Sequence, residues 1–151
     1  MELRIELMTL ADLADVLANH LRFWGDRDLR FLHETVFVQE FSDTCLVARG
    51  PGDQIAGYLL GFTTPRGVGY IHAVAVRDTA RGTGCGRAMY SRFAGTAAQQ
   101  GAQTLKAITH LVNTGSAAFH RRLGFDVRQV EDYAGQGKPM YVMTRPLPWT
   151  G

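Results

Sequence analysis

Apolar positions along the chain switch between a period of two and a period near 3.6, and the switches delimit the elements. ELRIEL at 2–7 alternates and predicts an opening strand. Thr9, with Asp12 three residues on, has the arrangement of a capping box, and Leu10, Leu13, Ala14 and Leu17 then repeat at helical spacing. Residues 27–39 read as a second helix, although Thr35, Val36, Phe37 and Val38 also suit a strand. TCLVAR (44–49), QIAGYLLGFT (54–63) and VGYIHAVAV (68–76) read as strands, separated by the turn GPGD (50–53) and by a turn marked by Pro65 and Gly67. Met89, Phe93 and Ala97 recur every fourth residue and predict a helix over about 84–100, stopped by Gly101. TLKAI (104–108) is a short strand, and Asn113 or Thr114 caps a helix through Leu123 that Gly124 closes. FDVRQVE (125–131) and MYVMTRPL (140–147) form a final strand pair around a polar loop.

The predicted order is β-α-α-β-β-β-α-β-α-β-β. The second to fourth strands have hairpin-length connections and are expected antiparallel, whereas the strand–helix–strand crossover after Val76 requires a parallel pair. This is an α/β architecture: a mixed, mostly antiparallel central sheet of about seven strands with helices on both faces. No repeat, low-complexity stretch or linker interrupts it, so residues 1–151 are expected to form a single domain.

Composition narrows the partners. Hydrophobic residues make up 46% and charged residues 20%, as in ordinary globular chains. No apolar run approaches the ~20 residues of a membrane span, and the acid-containing start MELRIELMTLADLADVL lacks the layout of a signal peptide. The expected location is cytoplasmic, with no membrane association. Sixteen basic against 14 acidic residues give a net charge of +2, too balanced for a nucleic-acid partner. Cys45 and Cys85 form no metal-ligand or redox spacing, and no metal is expected.

The candidate chemistry centres on AVAVRDTARGTGCGRAM (73–89). Three alternate glycines, Gly82, Gly84 and Gly86, follow a strand and open a helix. Bare backbone at a helix N-terminus offers unpaired amides and the positive end of the helix dipole to an anion. Arg77, Arg81 and Arg87 crowd the same loop, and charge-assisted contacts are expected from Arg81 and Arg87. A phosphate-bearing ligand follows, but neither common nucleotide motif fits. Arg87-Ala88 stands where a Walker loop needs Lys-Ser/Thr, and the G-x-G-x-G spacing is not that of the dinucleotide fingerprint.

Arg81-Gly82-Thr83-Gly84-Cys85-Gly86 resembles the Q/R-x-x-G-x-G/A signature of the GNAT acyltransferase superfamily. Asn113-Thr114-Gly115-Ser116-Ala117-Ala118-Phe119-His120-Arg121-Arg122-Leu123-Gly124-Phe125 resembles the family's N-x-x-S-x-x-F-Y-x-x-x-G-F segment. The element order also matches the family fold over nearly the whole chain. The resemblance implies acetyl-CoA as cofactor and N-acetyl transfer to an amine of a small-molecule acceptor. A protein or peptide acceptor, or a non-catalytic acyl-CoA-binding regulator, stands as the alternative, and dimers are common in the family.

The resemblance places the coenzyme diphosphate on the amides of Gly82, Thr83, Gly84, Cys85, Gly86 and Arg87, with Arg81 beside it. It runs the pantetheine arm along Val74, Ala75 and Val76, where the strands of 68–76 and 104–108 splay apart. It brings Asn113, Ser116, Phe119 and His120 against the coenzyme, and makes the Val74 amide the oxyanion donor. His120 stands where the family carries a tyrosine and is expected to protonate the leaving thiolate. His72, two residues before Val74 and expected on the same strand face, is the candidate base. The acceptor is expected between the first helices and the last hairpin, where Trp24, Asp26, His33, Glu34 and Tyr133 are candidate contacts.

Overall fold

The computed structural model describes residues 2–151. In chain order the elements are β1 (Arg4–Leu7), α1 (Leu10–Ala18), α2 (His20–Trp24), α3 (Thr35–Glu40), β2 (Cys45–Arg49) and β3 (Ile55–Thr63). There follow β4 (Val68–Val76), α4 (Cys85–Gln99), β5 (Thr104–Thr109), α5 (Thr114–Arg122), β6 (Asp126–Val130) and β7 (Met140–Pro146). The seven strands form one sheet in the order β1-β2-β3-β4-β5-β7-β6. Every neighbouring pair is antiparallel except β4–β5, which is parallel, as the α4 crossover requires.

Two apolar layers enclose the sheet. On one face Met89, Tyr90, Phe93 and Ala97 of α4 pack against Leu59, Ile71, Leu105 and Met143. On the other, Leu13 and Val16 of α1, Phe23 of α2 and Val38 of α3 pack against Val47, Tyr58, Leu60 and Ala73. The alternation of β3 and β4 thus serves two cores, which is why these strands read as nearly continuous apolar runs. The close approach of α4 depends on Gly61: a Cβ there would lie 2.6 Å from the Phe93 ring. No helix among the described residues is long and apolar enough to cross a membrane.

The Thr9–Asp12 capping box forms: the Thr9 hydroxyl accepts from the Asp12 amide at 3.1 Å, and the Asp12 carboxylate accepts from the Thr9 amide at 2.9 Å. The helix expected over 27–39 does not run through. Residues Arg30–Leu32 make one 3-10 turn, Glu34 is extended, and only Thr35–Glu40 are α-helical. The break has a local cause. Asp28 accepts from the Arg30 amide and guanidinium, forming a turn in place of a helical repeat. The β-branched Thr35, Val36 and Val38 stay helical because Val38 is buried against the α1 layer.

β4 also departs from regular alternation. Its register against β3 shifts between Leu60↔Ala73 and Gly61↔Ile71, which leaves His72 as the extra residue of a bulge. Ile71 and Val74 consequently face α4, while Ala73 belongs to the opposite core and His72 stacks on Phe37 of α3 at 4.3 Å. His72 and Val74 therefore do not share a face, contrary to the period-two expectation.

Candidate functional site

β4 and β5 pair from Val68↔Thr104 to Ile71↔Ala107 and no further. Beyond Ile71 the β5 side of β4 is an open edge. The Arg77 amide donates to Ala56 O on β3 at 2.7 Å, so by alternation Ala75 and Ala73 also face β3. Val74 and Val76 are left with amide and carbonyl turned into the opening. Ala75, expected along the same arm, presents its backbone to Tyr58 of β3.

The glycine loop continues from this edge. Gly82 (φ +75°) and Gly84 (φ +83°) are left-handed, and nothing lies within 4 Å of a Cβ at either. No side chain caps α4, whose first intrahelical bond runs from the Ala88 amide to Gly84 O at 3.0 Å. A row of bare amides therefore opens a helix of 15 residues. Gly86 serves a different end: a Cβ there would sit 2.7 Å from the Phe119 ring, so this glycine admits α5. The Thr83 hydroxyl donates to Ala80 O at 2.5 Å and closes the turn.

The arginines are arranged otherwise than expected. Arg77 is buried, donates to Ile55 O at 2.8 Å and lies over the Phe23 ring, away from the loop. Arg81 donates to Phe23 O near the end of α2. Arg87 donates to Arg122 O at the end of α5 and to Gly151 O. The Arg81 and Arg87 guanidinium groups therefore point at helix-end carbonyls rather than at the amide row. Cys85 is buried against the Gly57 position, and burial pushes its thiol up to about 11.

Asn113 caps α5, accepting from the Ser116 amide at 3.2 Å and donating to Thr109 Oγ1 at 3.0 Å. His120, only 2% exposed, lies beneath it. Its Nδ1–H donates to Ser116 O at 2.8 Å, and its Nε2 accepts from the Tyr90 hydroxyl at 2.6 Å. Phe119, Phe125 and Tyr90 surround the ring edge to face. Both nitrogens have partners, Nε2 in the core and Nδ1 toward Ser116, whose Oγ also lies 3.4 Å from it. Phe119 likewise packs on α4 at Gly86.

On the opposite face, Trp24 and His33 meet at a residue the sequence reading did not single out, Tyr58. Trp24 Nε1–H donates to the Tyr58 hydroxyl at 2.7 Å, and that hydroxyl donates to His33 Nε2 at 2.6 Å. His33 Nδ1–H donates to Leu29 O at 2.8 Å, and His20 Nε2 accepts from the Leu29 amide at 3.2 Å. The turn at 29–33 is fixed from within, so Trp24 and His33 are wall rather than free contacts. A tyrosine inside an otherwise apolar strand was the available signal, because a buried hydroxyl requires a partner.

His72 adds a further tie, its Nε2–H donating to Leu32 O at 2.9 Å. That bond fixes the tautomer and leaves Nδ1 as an acceptor. Burial holds the imidazole below its usual 6.5. Glu34 is exposed at the start of α3, and Asp26 is exposed after α2. Tyr133, in the loop between β6 and β7, lies over the Lys106 ammonium at 4.9 Å.

A model of the acetyltransferase (GNAT) family matches residues 11–125. No curated protein sequence matches the chain. Among solved structures, Ard1 from Thermoplasma volcanium superposes with a TM-score of 0.77 at 16% identity, over 98% of this chain and 99% of that one. The ribosomal-protein-S18-alanine N-acetyltransferase from Escherichia coli gives 0.73 at 16% identity, over 99% and 97%. The yncA structure from Salmonella typhimurium with its cofactor acetyl-CoA gives 0.69 at 23% identity, over 99% and 96%. At these identities the superpositions establish the fold.

Proposed function

The chain belongs to the acetyltransferase (GNAT) family, and from that premise we propose that it transfers the acetyl group of acetyl-CoA to the amine of a small-molecule acceptor. One observation carries the reading: the open edge of β4 beyond Ile71 leads directly to the bare amides that begin α4. The two features are continuous along one chain segment, and they suit a ligand with an extended arm and a phosphate group.

Acetyl-CoA, when bound, supplies an acetyl thioester. The amides of residues 82–87 would hold its diphosphate, with Gly82 and Gly84 leaving the approach clear. Val74 and Val76 would pair with the arm as an added strand, and the Val74 amide would be the donor for charge developing on the thioester carbonyl oxygen. His72 stands on the acceptor face by alternation from Ile71, while the bulge at residue 72 turns Val74 to the α4 face. The open Nδ1 of His72, kept in the neutral form by burial, is the acceptor available for a proton from the amine. His120 and Tyr90 position α5 against α4. The loop of 131–138 supports a small acceptor: bonds from the Gly137 amide to Asp132 and from the Ala134 amide to Lys138 O fold it back, and Tyr133 comes down on the acceptor face of β5.

The test is thiol release from acetyl-CoA over a panel of amines, polyamines, aminoglycosides, amino acids and peptides. Turnover of a small amine is expected. Turnover of peptides alone would move the acceptor class, and calorimetric binding of acetyl-CoA without any thiol release would make the protein a binder. Gly84→Asp separates the coenzyme site from folding. Asp tolerates the left-handed conformation, and it sets a carboxylate on the amide row. Calorimetry is expected to show acetyl-CoA binding weakened about tenfold or more, with the melting temperature little changed.

A further inference from the structure

Lys106 lies on the acceptor face of β5, beside Tyr70 of β4 and Thr144 of β7 in the cross-strand row. Its ammonium sits over the Tyr133 ring at 4.9 Å, and among the described residues no carboxylate lies within ion-pair distance of it. Asp126, the acid further along the row, is engaged by Arg128 at 2.6 Å. The Tyr70 hydroxyl is kept protonated by burial and by its neighbour Tyr133. No buried side-chain polar atom among the described residues lacks a partner, so the unbonded Tyr70 hydroxyl reaches solvent, and Tyr133 is itself exposed. One cation and two phenols thus neighbour one another just before the strands part, without an anion of their own.

Resting on the reading above, we infer that Lys106, Tyr70 and Tyr133 form a subsite for a carboxylate carried by the acceptor. A single cation with neutral donors and no nest of backbone amides suits a monoanion rather than a phosphate dianion. The spacing sets the rest of the molecule. Val74 stands four residues beyond Tyr70 with one residue bulged out, so the reacting edge is about 10 Å along the strand from the Lys106 row. An α-amino acid, whose two charges flank one carbon, is too short for that span. An amine joined to its carboxylate by a chain of several methylenes covers it. Between the two lie Ile108, two residues beyond Lys106, and the His72 ring stacked on Phe37, with Phe62 against Tyr70 at 5.2 Å at the far end.

Thiol release is measured with 6-aminohexanoate, 6-aminohexanamide and hexylamine, and calorimetry with hexanoate, which has no amine to acetylate. In the unaltered protein, kcat/KM for 6-aminohexanoate is expected to exceed that of both neutral amines by about tenfold or more. Lys106→Met collapses that ratio to near unity and weakens hexanoate about tenfold, whereas Lys106→Arg retains most of both. A purely structural role would lower all three amines together and leave the ratio intact. A ratio near unity in the unaltered protein, or hexanoate binding equally to it and to Lys106→Met, overturns the inference. Absence of thiol release with every amine removes the small-acceptor reading, while the hexanoate measurement still decides Lys106.

Discussion

Replacing His72 with alanine is expected to lower kcat by about 10²-fold or more, within the range of a positioned general base, while KM for acetyl-CoA changes little. Three features of the fold converge on this residue. Its ring lies on the acceptor face, stacked on Phe37, and the bulge at residue 72 turns Val74 to the opposite, α4 layer. The Leu32 carbonyl accepts the hydrogen bond from Nε2–H and so leaves Nδ1 as the acceptor. Burial holds the imidazole below its ordinary 6.5, so it is neutral at pH 7. The pH profile carries the sign. Activity of the unaltered protein falls as pH drops through the folded-state pKa of His72, which lies below 6.5, and is full above it. In His72→Ala that acid limb disappears, leaving the dependence set by the acceptor amine. An acid limb that survives unaltered in the variant assigns proton removal elsewhere.

Much of this arrangement was legible in the sequence, because the features concerned are local. The strands and the crossover follow from apolar periodicity and connection length, and the left-handed Gly82 and Gly84 follow from residue type at the start of a helix. What escaped was set by distant partners. Nothing within IHAVAV announces a bulge, which arises from register against β3 and turns Val74 to the face opposite His72. Gly86 looks like its two neighbours in sequence, yet it is required by Phe119, 33 positions later. The arginines of the loop were read by proximity in the chain, whereas their guanidinium groups cap the ends of α2 and α5 or enter the core. The break near Asp28 was obscured because helical spacing continues across it, while the carboxylate captures the Arg30 amide. Tyr90 could have been found: its hydroxyl falls on the buried face of α4, where it must meet an acceptor.

That acceptor makes His120 the second site of large effect. His120→Ala is expected to destabilise the fold by roughly 3 kcal/mol, combining a buried Tyr90 hydroxyl left without partner with the cavity left by the ring. The melting temperature then falls by about 6–12 °C for a chain of this size. A double-mutant cycle tests the cause. Tyr90→Phe alone strips the hydrogen bond from His120 Nε2, whereas in His120→Ala it removes an already orphaned hydroxyl and costs little. The coupling is expected at about 1–2 kcal/mol, and additive effects would deny the pair. Proton linkage gives an independent reading. Burial lowers the pKa of His120 from 6.5, so between its folded value and 6.5 the unfolded chain binds more protons. Its share of stability is therefore full above pH 6.5 and is lost as the pH falls from there to the folded value. His33 and His72 are lowered in the same way and contribute in the same direction. Denaturant titrations between pH 7.5 and 5 should show His120→Ala losing stability less steeply than the parent. At a temperature where the variant is folded, kcat is expected to fall less than tenfold. A loss near a hundredfold there would put His120 in the proton path after all, despite the carbonyl and hydroxyl that engage both of its nitrogens.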